Sequence, residues 1–246
     1  MKNSETYILI ADSHLSEGMK PDFFAMLDRI REYQPKGVVF LGDIFELWIA
    51  LDGYESDLHR RFLDWCREAK QHFEVGFILG NHEFYVCETH ADAFTWISRT
   101  GHNTGEGFRF IHGDLINRAD HSYRLLRCLL RNAFTRFLLK ITAKKIGPKV
   151  ADHVRVSLKP TNKQHKRLLP MKYLKKMSQK SARKKLNLVF SGHFHRYAEL
   201  DFYDGIKITI LPAWFTAEEI ILVTPDLHYV CGPWQELLSD ESNKSS

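Results

Sequence analysis

Five short apolar runs in this sequence each end in polar residues that can bind metals or move protons. The runs begin at Tyr7, Val38, Phe77, Phe108 and Leu188, and each has the composition of a buried strand. Because α/β sheets bind ligands at the carboxyl ends of their strands, we expect the five ends to converge on one pocket. That pocket would contain Asp12, His14, Asp43, Asn81, His112, His193 and His195.

These seven side chains are carboxylates, imidazoles and one amide, and none of them is a thiolate. Such nitrogen and oxygen ligands suit Mn, Fe or Zn. Seven ligands are too many for one tetrahedral ion, so we predict two divalent ions that share the Asp43 carboxylate. Two ions roughly 3.5–4 Å apart would clamp the attacking and leaving oxygens of a phosphoryl displacement and supply hydroxide near neutral pH. The alternative is that these are ordinary turn residues, but five such turns, each after a strand, favour a metal site.

The order of these motifs resembles the signature of the calcineurin-like metallophosphoesterases, and the resemblance extends from Ile8 to about Val223. It implies an α/β fold, a four-layer sandwich in which two mixed β-sheets are flanked by helices, with a basic helical cap inserted. The motifs that carry it are Asp12-x-His14, Gly42-Asp43, Gly80-Asn81-His82-Glu83, His112 and Gly192-His193-x-His195.

We predict how this ligand set divides between the two ions. The first ion would be held by Asp12, His14, Asp43 and His195, and the second by Asp43, Asn81, His112 and His193. In the resembled superfamily, the histidine that corresponds to His82 is thought to protonate the leaving group. A histidine titrates near the working pH, which suits that role. The predicted catalytic residues are therefore His82, Asp43 and Asn81.

Three further segments resemble a narrower family, the UDP-2,3-diacylglucosamine hydrolases of lipid A biosynthesis. They are Gly42–Ile49, His112-Gly113-Asp114 followed by Tyr123, and Pro212-Ala213-Trp214, which is similar to that family's Gly-Ala-Trp. The resemblance implies cleavage of the pyrophosphate of a UDP-linked diacyl sugar, giving the lipid sugar 1-phosphate and UMP. It also implies a substrate contact for Tyr123, whose alternative role is the first apolar residue of a helix. The chain departs from this family at His82, where arginine is usual.

The length of 246 residues fits one α/β domain with an insertion. We predict a core formed by residues 1–119 and 187–238, a helical basic cap at 120–186, and a disordered polar tail at 239–246. No apolar stretch is long enough to predict a spanning helix, and the N-terminus lacks the apolar region of a secretion signal. The four scattered cysteines form no C-x-x-C pair, which is typical of reduced thiols in a cytoplasmic protein.

The segment from Arg124 to Lys185 carries most of the positive charge. It contains twenty basic residues and one acidic residue, Asp152, a net charge of +19 in a chain whose net charge is +5. This asymmetry indicates an anionic partner. The stretch from Leu125 to Ile141 is also amphipathic, which favours a membrane surface or a calmodulin-like partner. The alternative is a cap that packs its apolar face on the catalytic domain and exposes its basic face.

The insertion must leave the core after His112 and return before His193, which is where a substrate-gripping lid belongs. In the resembled hydrolases a helical insertion at this place covers the acyl chains. The stand-ins for that family's substrate-binding stretch are Arg155, Ser157, Asn162 and Lys163. We therefore expect an anionic, lipid-linked phosphate substrate and a peripheral position at the inner face of the membrane. No obligate protein partner is evident from the sequence.

Two other functions remain open from the sequence. One is a phosphoesterase that acts on a nucleotide, a nucleic acid or a phospholipid, since phosphate contacts need only Lys and Arg. The Leu- and Phe-rich cap argues against nucleic acid, because a nucleic-acid groove would show stacking aromatics among the basic residues. The other is a non-catalytic membrane-binding module, against which the complete ligand set argues. We favour a hydrolase of a UDP-diacylglucosamine-type precursor, with Mn²⁺ as the expected ion.

Overall fold

The structure is a computed structural model that describes residues 3–16, 22–141, 168–202 and 205–239. Each of the five apolar runs forms a strand, as predicted. The strands are β1 Tyr7–Ile10, β2 Gly37–Phe40, β3 Trp48–Ile49, β4 Glu74–Ile78, β5 Glu83–Phe84, β6 Trp96–Ser98, β7 His102–Asn103, β8 Phe108–Ile111, β9 Leu188–Ser191, β10 Ala198–Asp201, β11 Lys207–Ile210, β12 Glu219–Val223 and β13 Tyr229–Pro233.

Helices of very different lengths connect these strands, and two short 3₁₀ turns lie at Asn3–Glu5 and Ala91–Ala93. The helices are α1 Asp22–Tyr33, α2 Asp57–Ala69, α3 Val86–Thr89, α4 His121–Leu130, α5 at helical residues 133–141, α6 Met171–Ala182, α7 Trp214–Ala217 and α8 Trp234–Leu237. Within the described ranges, no helix combines the length and the apolar character that crossing a bilayer requires.

The strands form two mixed sheets and one short ribbon. The first sheet has the order β13-β12-β1-β2-β4-β6, with β1, β2, β4 and β6 parallel. The second has the order β10-β11-β9-β8-β7, with β8, β9 and β11 parallel. Strands β3 and β5 pair with each other in the ribbon. Parallel strands end at the same edge of a sheet, so each sheet gathers several strand ends on one side.

The two sheets stack on each other, and helices cover both outer faces. Alternate side chains of β1 face opposite ways: Ile8 packs with α1 and α2, and Leu9 packs against the second sheet. On the far face of the second sheet, Val189 and Ile208 pack on Leu174 of α6. The layers therefore run helices, sheet, sheet, helix, which confirms the predicted four-layer α/β fold.

The predicted cap is described only in part. Helices α4, α5 and α6 lie within the interval predicted for it, but residues 142–167 fall outside the described ranges. The predicted substrate residues Arg155, Ser157, Asn162 and Lys163 therefore lie outside the described residues. So does most of the predicted tail, from residue 240 onward. The limits of the core and the cap stay predictions.

Candidate metal centre

The seven predicted ligands lie together where the parallel strands end. In the first sheet, Asp12 follows β1, Asp43 follows β2 and Asn81 follows β4. In the second sheet, His112 follows β8 and His193 follows β9. His14 and His195 stand two residues beyond the first and last of these positions. The stacking of the two sheets thus joins two groups of strand ends into one site.

Five of these seven residues have a left-handed backbone conformation, which residues other than glycine rarely adopt. The φ angles are 53° at Asp12, 45° at His14, 53° at Asp43, 74° at His193 and 52° at His195. Each such residue costs about 1–3 kcal/mol, which the surrounding structure must offset. Strain of this kind concentrates at binding and catalytic sites, and here it marks five of the seven candidate ligands.

Three glycines allow the motifs to approach one another closely. A Cβ atom on Gly80 would lie 2.2 Å from Asp43 Oδ1, and one on Gly42 would lie 2.5 Å from the backbone nitrogen of Gly80. A Cβ atom on Gly192 would lie 2.8 Å from Asp12 Oδ2. Any larger residue would therefore displace a carboxylate at positions 80 and 192, or the Gly80 backbone at position 42.

Replacement of Gly80 by alanine tests this close approach. We expect Gly80→Ala to push the Asp43 side chain aside, to lower the free energy of unfolding by about 2 kcal/mol and to reduce the amount of bound metal. Metal content and thermal unfolding measure the two effects. The matched control is Gly105→Ala, because a Cβ atom there meets nothing within 4 Å. Normal metal content in Gly80→Ala would show that the glycine is not needed for the site.

The first cluster of ligand atoms surrounds Asp12. One of its carboxylate oxygens, Oδ2, accepts a hydrogen bond from the backbone nitrogen of His193 at 2.7 Å. The other, Oδ1, lies 3.2 Å from His195 Nε2 and 3.9 Å from His14 Nε2. The two imidazole nitrogens are themselves 3.2 Å apart. Asp12, His14 and His195 thus direct one atom each towards a common point.

The second cluster surrounds Asp43 in the same way. Its Oδ1 accepts a hydrogen bond from the backbone nitrogen of His82 at 3.0 Å. Its Oδ2 lies 3.4 Å from His112 Nε2 and 3.9 Å from His14 Nε2. The amide oxygen of Asn81 lies 3.2 Å from His112 Nε2. One oxygen of Asp43 therefore lies between the two clusters, where a bridging ligand would be needed.

These atoms fit divalent cations. Asp12 Oδ1 and Asp43 Oδ2 are buried, and neither accepts a hydrogen bond with good geometry from the residues described. Buried carboxylate oxygens without such bonds are costly unless a cation or a charged partner compensates them. Together with the surrounding imidazoles they form the nitrogen and oxygen donor set of a transition-metal site. The structure thus supports a site for divalent ions.

The acid–base properties of the site follow from its burial and its charges. Burial alone would raise the pKa of Asp43, but His112, His82 and His14 together hold that pKa well below its usual range. Burial would lower the pKa of His112, but the Asp43 carboxylate raises it to about 10. The site therefore favours an ionised Asp43 carboxylate beside a protonated His112, and a metal ion would replace the proton on that imidazole.

Glu83 organises the loops that carry the ligands. Its buried carboxylate accepts hydrogen bonds from the backbone nitrogens of Asp43 at 3.0 Å, Ile44 at 2.8 Å and Gly80 at 2.8 Å. Burial and the nearby Asp43 charge raise the pKa of Glu83 to about 8. No role for Glu83 was predicted from the sequence, although this residue closes the Gly80-Asn81-His82-Glu83 motif. Its place in that motif is the sequence feature from which a role could have been predicted.

His82 lies against the Asp43 carboxylate. Its Nδ1 lies 2.5 Å from the backbone oxygen of Glu46, and its Nε2 lies 3.7 Å from Asp43 Oδ2. Its ring also meets the His14 ring edge-on, with centroids 4.8 Å apart. The contact of Nδ1 with Glu46 thus orients the imidazole so that Nε2 faces the site. In this position Nε2 could act as a proton donor or as a further metal ligand.

Arg131 connects the cap to the ligand loops. It follows α4, and its Nη2 donates hydrogen bonds to the backbone oxygens of Gly80 and of Glu83, the latter at 2.8 Å. Its guanidinium also lies 5.5 Å from the centre of the Phe84 ring. In the sequence, Arg131 is only one of the twenty basic residues between Arg124 and Lys185. Nothing in its neighbouring sequence distinguishes it, because its partners lie about fifty residues away.

Tyr123 stands in the first turn of α4, which Asp120 caps by accepting a hydrogen bond from its backbone nitrogen at 2.9 Å. Its hydroxyl donates to Asp114, whose carboxylate also lies 3.5 Å from Arg127 Nη1. Tyr123 thus joins the helix to the loop that follows His112. The predicted substrate contact of Tyr123 stays a prediction.

Phe215 borders the first cluster and was not predicted as a site residue. Its ring lies edge-on to those of His14 and His195, with centroids 5.3 Å away in both cases. Its backbone nitrogen donates to the backbone oxygen of Asp12 at 3.3 Å. The side chain is 39% exposed, so it forms part of the visible rim of the site. Phe215 directly follows Pro212-Ala213-Trp214, and this position is the sequence feature from which its place at the site could have been predicted.

The family of the chain follows from these residues and from a direct comparison. A family model of the calcineurin-like phosphoesterases matches residues 6–197, an interval that contains all seven candidate ligands. The chain belongs to the calcineurin-like phosphoesterases, as its motifs predicted. It is therefore a metallophosphoesterase, a hydrolase that acts on phosphorus–oxygen bonds.

The names of individual relatives describe a narrower activity than the family model does. The chain is 25% identical to a protein named UDP-2,3-diacylglucosamine hydrolase from Shewanella sp. (strain MR-7), over 89% of this chain and 94% of the relative. A protein of the same name from Blochmanniella pennsylvanica (strain BPEN) is 26% identical over 84% of this chain and 87% of the relative. Among solved structures, Vacuolar Protein Sorting 29 from Cryptosporidium parvum aligns with 93% of this chain and 86% of its own, at 11% identity and a TM-score of 0.46.

Divalent ions bound in this site would polarise a phosphoryl group and activate water. Glycine contacts and the hydrogen bonds of Glu83 position the carboxylates that would hold these ions. The left-handed turns orient the ligand side chains. The stacking of the two sheets brings the two clusters next to each other. Such an arrangement suits the hydrolysis of phosphoesters.

Proposed function

We propose that this chain hydrolyses the pyrophosphate of a UDP-2,3-diacylglucosamine-type lipid precursor, giving the lipid sugar 1-phosphate and UMP. The observation that carries the chemistry is the position of Asp43 Oδ2 between His112 and His14, at 3.4 and 3.9 Å. A carboxylate shared in this way supports two adjacent ions, which suit phosphoryl displacement. The lipid substrate is supported by relatives of that name that align with up to 89% of the chain.

The residues would divide their work as follows. Asp12, His14 and His195 would hold one ion, and Asn81, His112 and His193 the other, with Asp43 bridging them. We propose Mn²⁺ for both positions, as one of the ions Mn, Fe and Zn that suit imidazole, carboxylate and amide donors without a thiolate. His82 would donate a proton to the leaving oxygen through Nε2, whose ring position is set by the contact of Nδ1 with Glu46.

The orientation of the described cap supports a lipidic partner. Two of its arginines face the catalytic core: Arg127 donates to the backbone oxygen of Arg99 at 3.0 Å, and Arg136 lies 5.9 Å from the centre of the Tyr85 ring. Apolar side chains on the same helices are instead exposed, namely Leu125, Leu126, Leu129, Phe134, Phe137, Leu138 and Ile141. This arrangement favours a lipidic partner over the alternative of a cap that packs its apolar face on the core and exposes its basic face.

An exposed apolar surface of this extent marks an interaction site. We propose that it contacts the acyl chains of the substrate and the membrane surface. We further propose that the enzyme works in the cytoplasm, at the inner face of the membrane. It would need no obligate protein partner and no nucleic acid.

Replacement of two exposed rings tests this surface. Phe134 and Phe137 are 69% and 59% exposed. We expect the double variant Phe134→Asp, Phe137→Asp to bind phospholipid vesicles at least about tenfold more weakly. The two aromatic rings can no longer be buried in the membrane, and two negative charges are added. Vesicle co-sedimentation measures the effect. The control is Leu227→Asp, Val230→Asp, at exposed apolar sites near the turn between β12 and β13. Equal losses in both double variants would contradict a specific role of the cap.

The decisive experiment is hydrolysis of UDP-2,3-diacylglucosamine in detergent with added Mn²⁺, with and without a chelator. We expect release of UMP that stops when the chelator is present. That result would also show that His82 serves where the resembled family usually has arginine. Metal-dependent cleavage of a simple aryl phosphodiester without release of UMP would contradict the lipid substrate.

A second candidate function is hydrolysis of a different phosphodiester or phosphomonoester by the same metal site. The observation that favours it is His82, a buried imidazole where the resembled hydrolases usually carry a guanidinium. An imidazole offers one proton at this position, whereas a guanidinium offers a fixed positive charge and several donors. Substrate preference would then differ although the ligand set is the same. The aryl phosphodiester arm of the experiment above distinguishes this candidate.

A further inference from the structure

A basic cavity lies outside the candidate metal centre. It is bounded by α6, by the outer face of β8 and by the loop at 113–118, and its volume is about 440 Å³. None of the seven candidate ligands lines it. Its cationic lining residues are Arg109, Arg118, Lys176, Lys180, Arg183 and Lys184.

Among the residues that the structure describes, no carboxylate compensates the charge of this cavity. Asp114 is the one acidic residue in its described lining, and its carboxylate is already engaged by the Tyr123 hydroxyl and by Arg127. Within the part of the chain that the structure describes, none of the six cations forms an ion pair with a carboxylate. Clustered cations in a concave surface produce a strong positive potential that concentrates anions.

Arg109 is the most deeply placed of these six cations, because it lies on a strand of the core. It lies on β8, half-buried beneath the cavity, and its Nη1 donates to the neutral Asn103 Oδ1 at 2.6 Å. Burial lowers the pKa of its guanidinium. A partly buried guanidinium that lacks a negative partner loses some of its hydration, and an anion in the cavity would compensate that loss. Guanidinium groups also match the geometry of phosphate oxygens.

The rest of the lining indicates the size and character of the ligand. Ile111, Ile116 and Met177 form an apolar part of the wall, and Tyr173 adds an aromatic ring. A concave site of this volume suits a small molecule, whereas a flat basic surface would suit a polymer. The ligand would therefore combine a phosphate group with a ring or a short apolar part.

We propose that this cavity is a binding site for a phosphorylated ligand, separate from the metal centre. The loop that forms its floor begins directly after His112, so the two sites are neighbours that share one segment of chain. Binding here does not depend on the hydrolysis proposed above. The phosphate group could belong to a soluble nucleotide or sugar phosphate, or to a lipid headgroup.

Calorimetric titration of the Mn²⁺-loaded full chain with UMP tests the proposal. We expect Lys176→Glu, Lys180→Glu to weaken binding at this site about tenfold or more, because two charge-assisted contacts become repulsive. The matched control is Lys172→Glu, Lys175→Glu, which makes the same charge change on exposed positions of α6 that do not line the cavity. The control should bind UMP within about twofold of the parent chain, since long-range attraction between exposed charges is screened by salt.

A metal-site variant separates the two sites. UMP binding that persists in Asp43→Asn and disappears when Lys176→Glu, Lys180→Glu is added would support the cavity. Loss of all UMP binding in Asp43→Asn would overturn a soluble ligand. A parallel arm with phosphatidylglycerol vesicles identifies the source, because a headgroup site would lose vesicle binding in the same lysine variant. Equal behaviour of the two lysine variants in both arms would overturn the proposal.

Discussion

Replacement of Asp43 by asparagine is expected to lower turnover by a thousandfold or more. Metal ions of this kind contribute several kcal/mol to the stabilisation of a phosphoryl transition state, and each 1.4 kcal/mol corresponds to about a tenfold change in rate. Asp43 Oδ2 is the oxygen that lies between the clusters around His112 and His14. An amide at this place removes the negative charge that both ions would share.

The metal content of Asp43→Asn should fall together with its rate. We expect elemental analysis to show fewer bound ions per chain than in the parent protein, while the circular dichroism spectrum remains that of a folded α/β protein. The control is Asp226→Asn, a similar change at an exposed residue that lies near His228. Near-normal turnover of Asp43→Asn would exclude the scheme with two ions.

Replacement of Glu83 by glutamine is expected to damage the site without touching a ligand. The Glu83 carboxylate accepts three backbone hydrogen bonds, from Asp43, Ile44 and Gly80. An amide nitrogen in place of one oxygen would face backbone N–H groups and leave at least one of them unsatisfied. We expect a loss of about 3 kcal/mol in the free energy of unfolding and metal binding that is weaker by about 10–100-fold.

Chemical denaturation and metal titration of Glu83→Gln measure these two quantities. The control is Glu88→Gln, because Glu88 forms a peripheral ion pair with Arg99 at 3.0 Å. If Glu83 only filled space, glutamine would fit equally well, and both stability and metal affinity would stay at the parent level. That outcome would contradict a positioning role for Glu83.

The candidate site was largely readable from the sequence because its signals are local. A run such as Tyr7–Ile10 predicts a buried strand, and the polar residues after it must then lie at the strand's carboxyl end. Repeated five times, this pattern predicts one pocket without any knowledge of the pairing order. The close approach of Gly80 to Asp43 also appears in the sequence as a glycine directly before the ligand Asn81.

Other features depend on contacts between distant parts of the chain. Glu83 reaches Asp43 across forty residues, and Arg131 reaches the Gly80 carbonyl across fifty-one. Phe215 meets His14 only because α7 returns to the start of the chain. No periodicity or motif spacing reports such pairs, since hydrophobic patterns describe one element at a time.

The cap shows the same limit most clearly. Its amphipathic pattern was evident, but a pattern alone does not state which face meets the core. Three arginines of the cap face inward because their guanidinium groups contact backbone oxygens, the Asp114 carboxylate and aromatic rings of the catalytic core. They are Arg127, Arg131 and Arg136.

The sequence by itself determined the α/β class, the family and the seven candidate ligands, because strand ends and turn residues are encoded locally. Only the tertiary structure decided how the two sheets bring those ligands into two clusters around Asp12 and Asp43. It also decided which residues support them, which face of the cap is exposed, and where the basic cavity lies. These features arise from packing between elements far apart in the chain, and their free energy exists only once those elements meet.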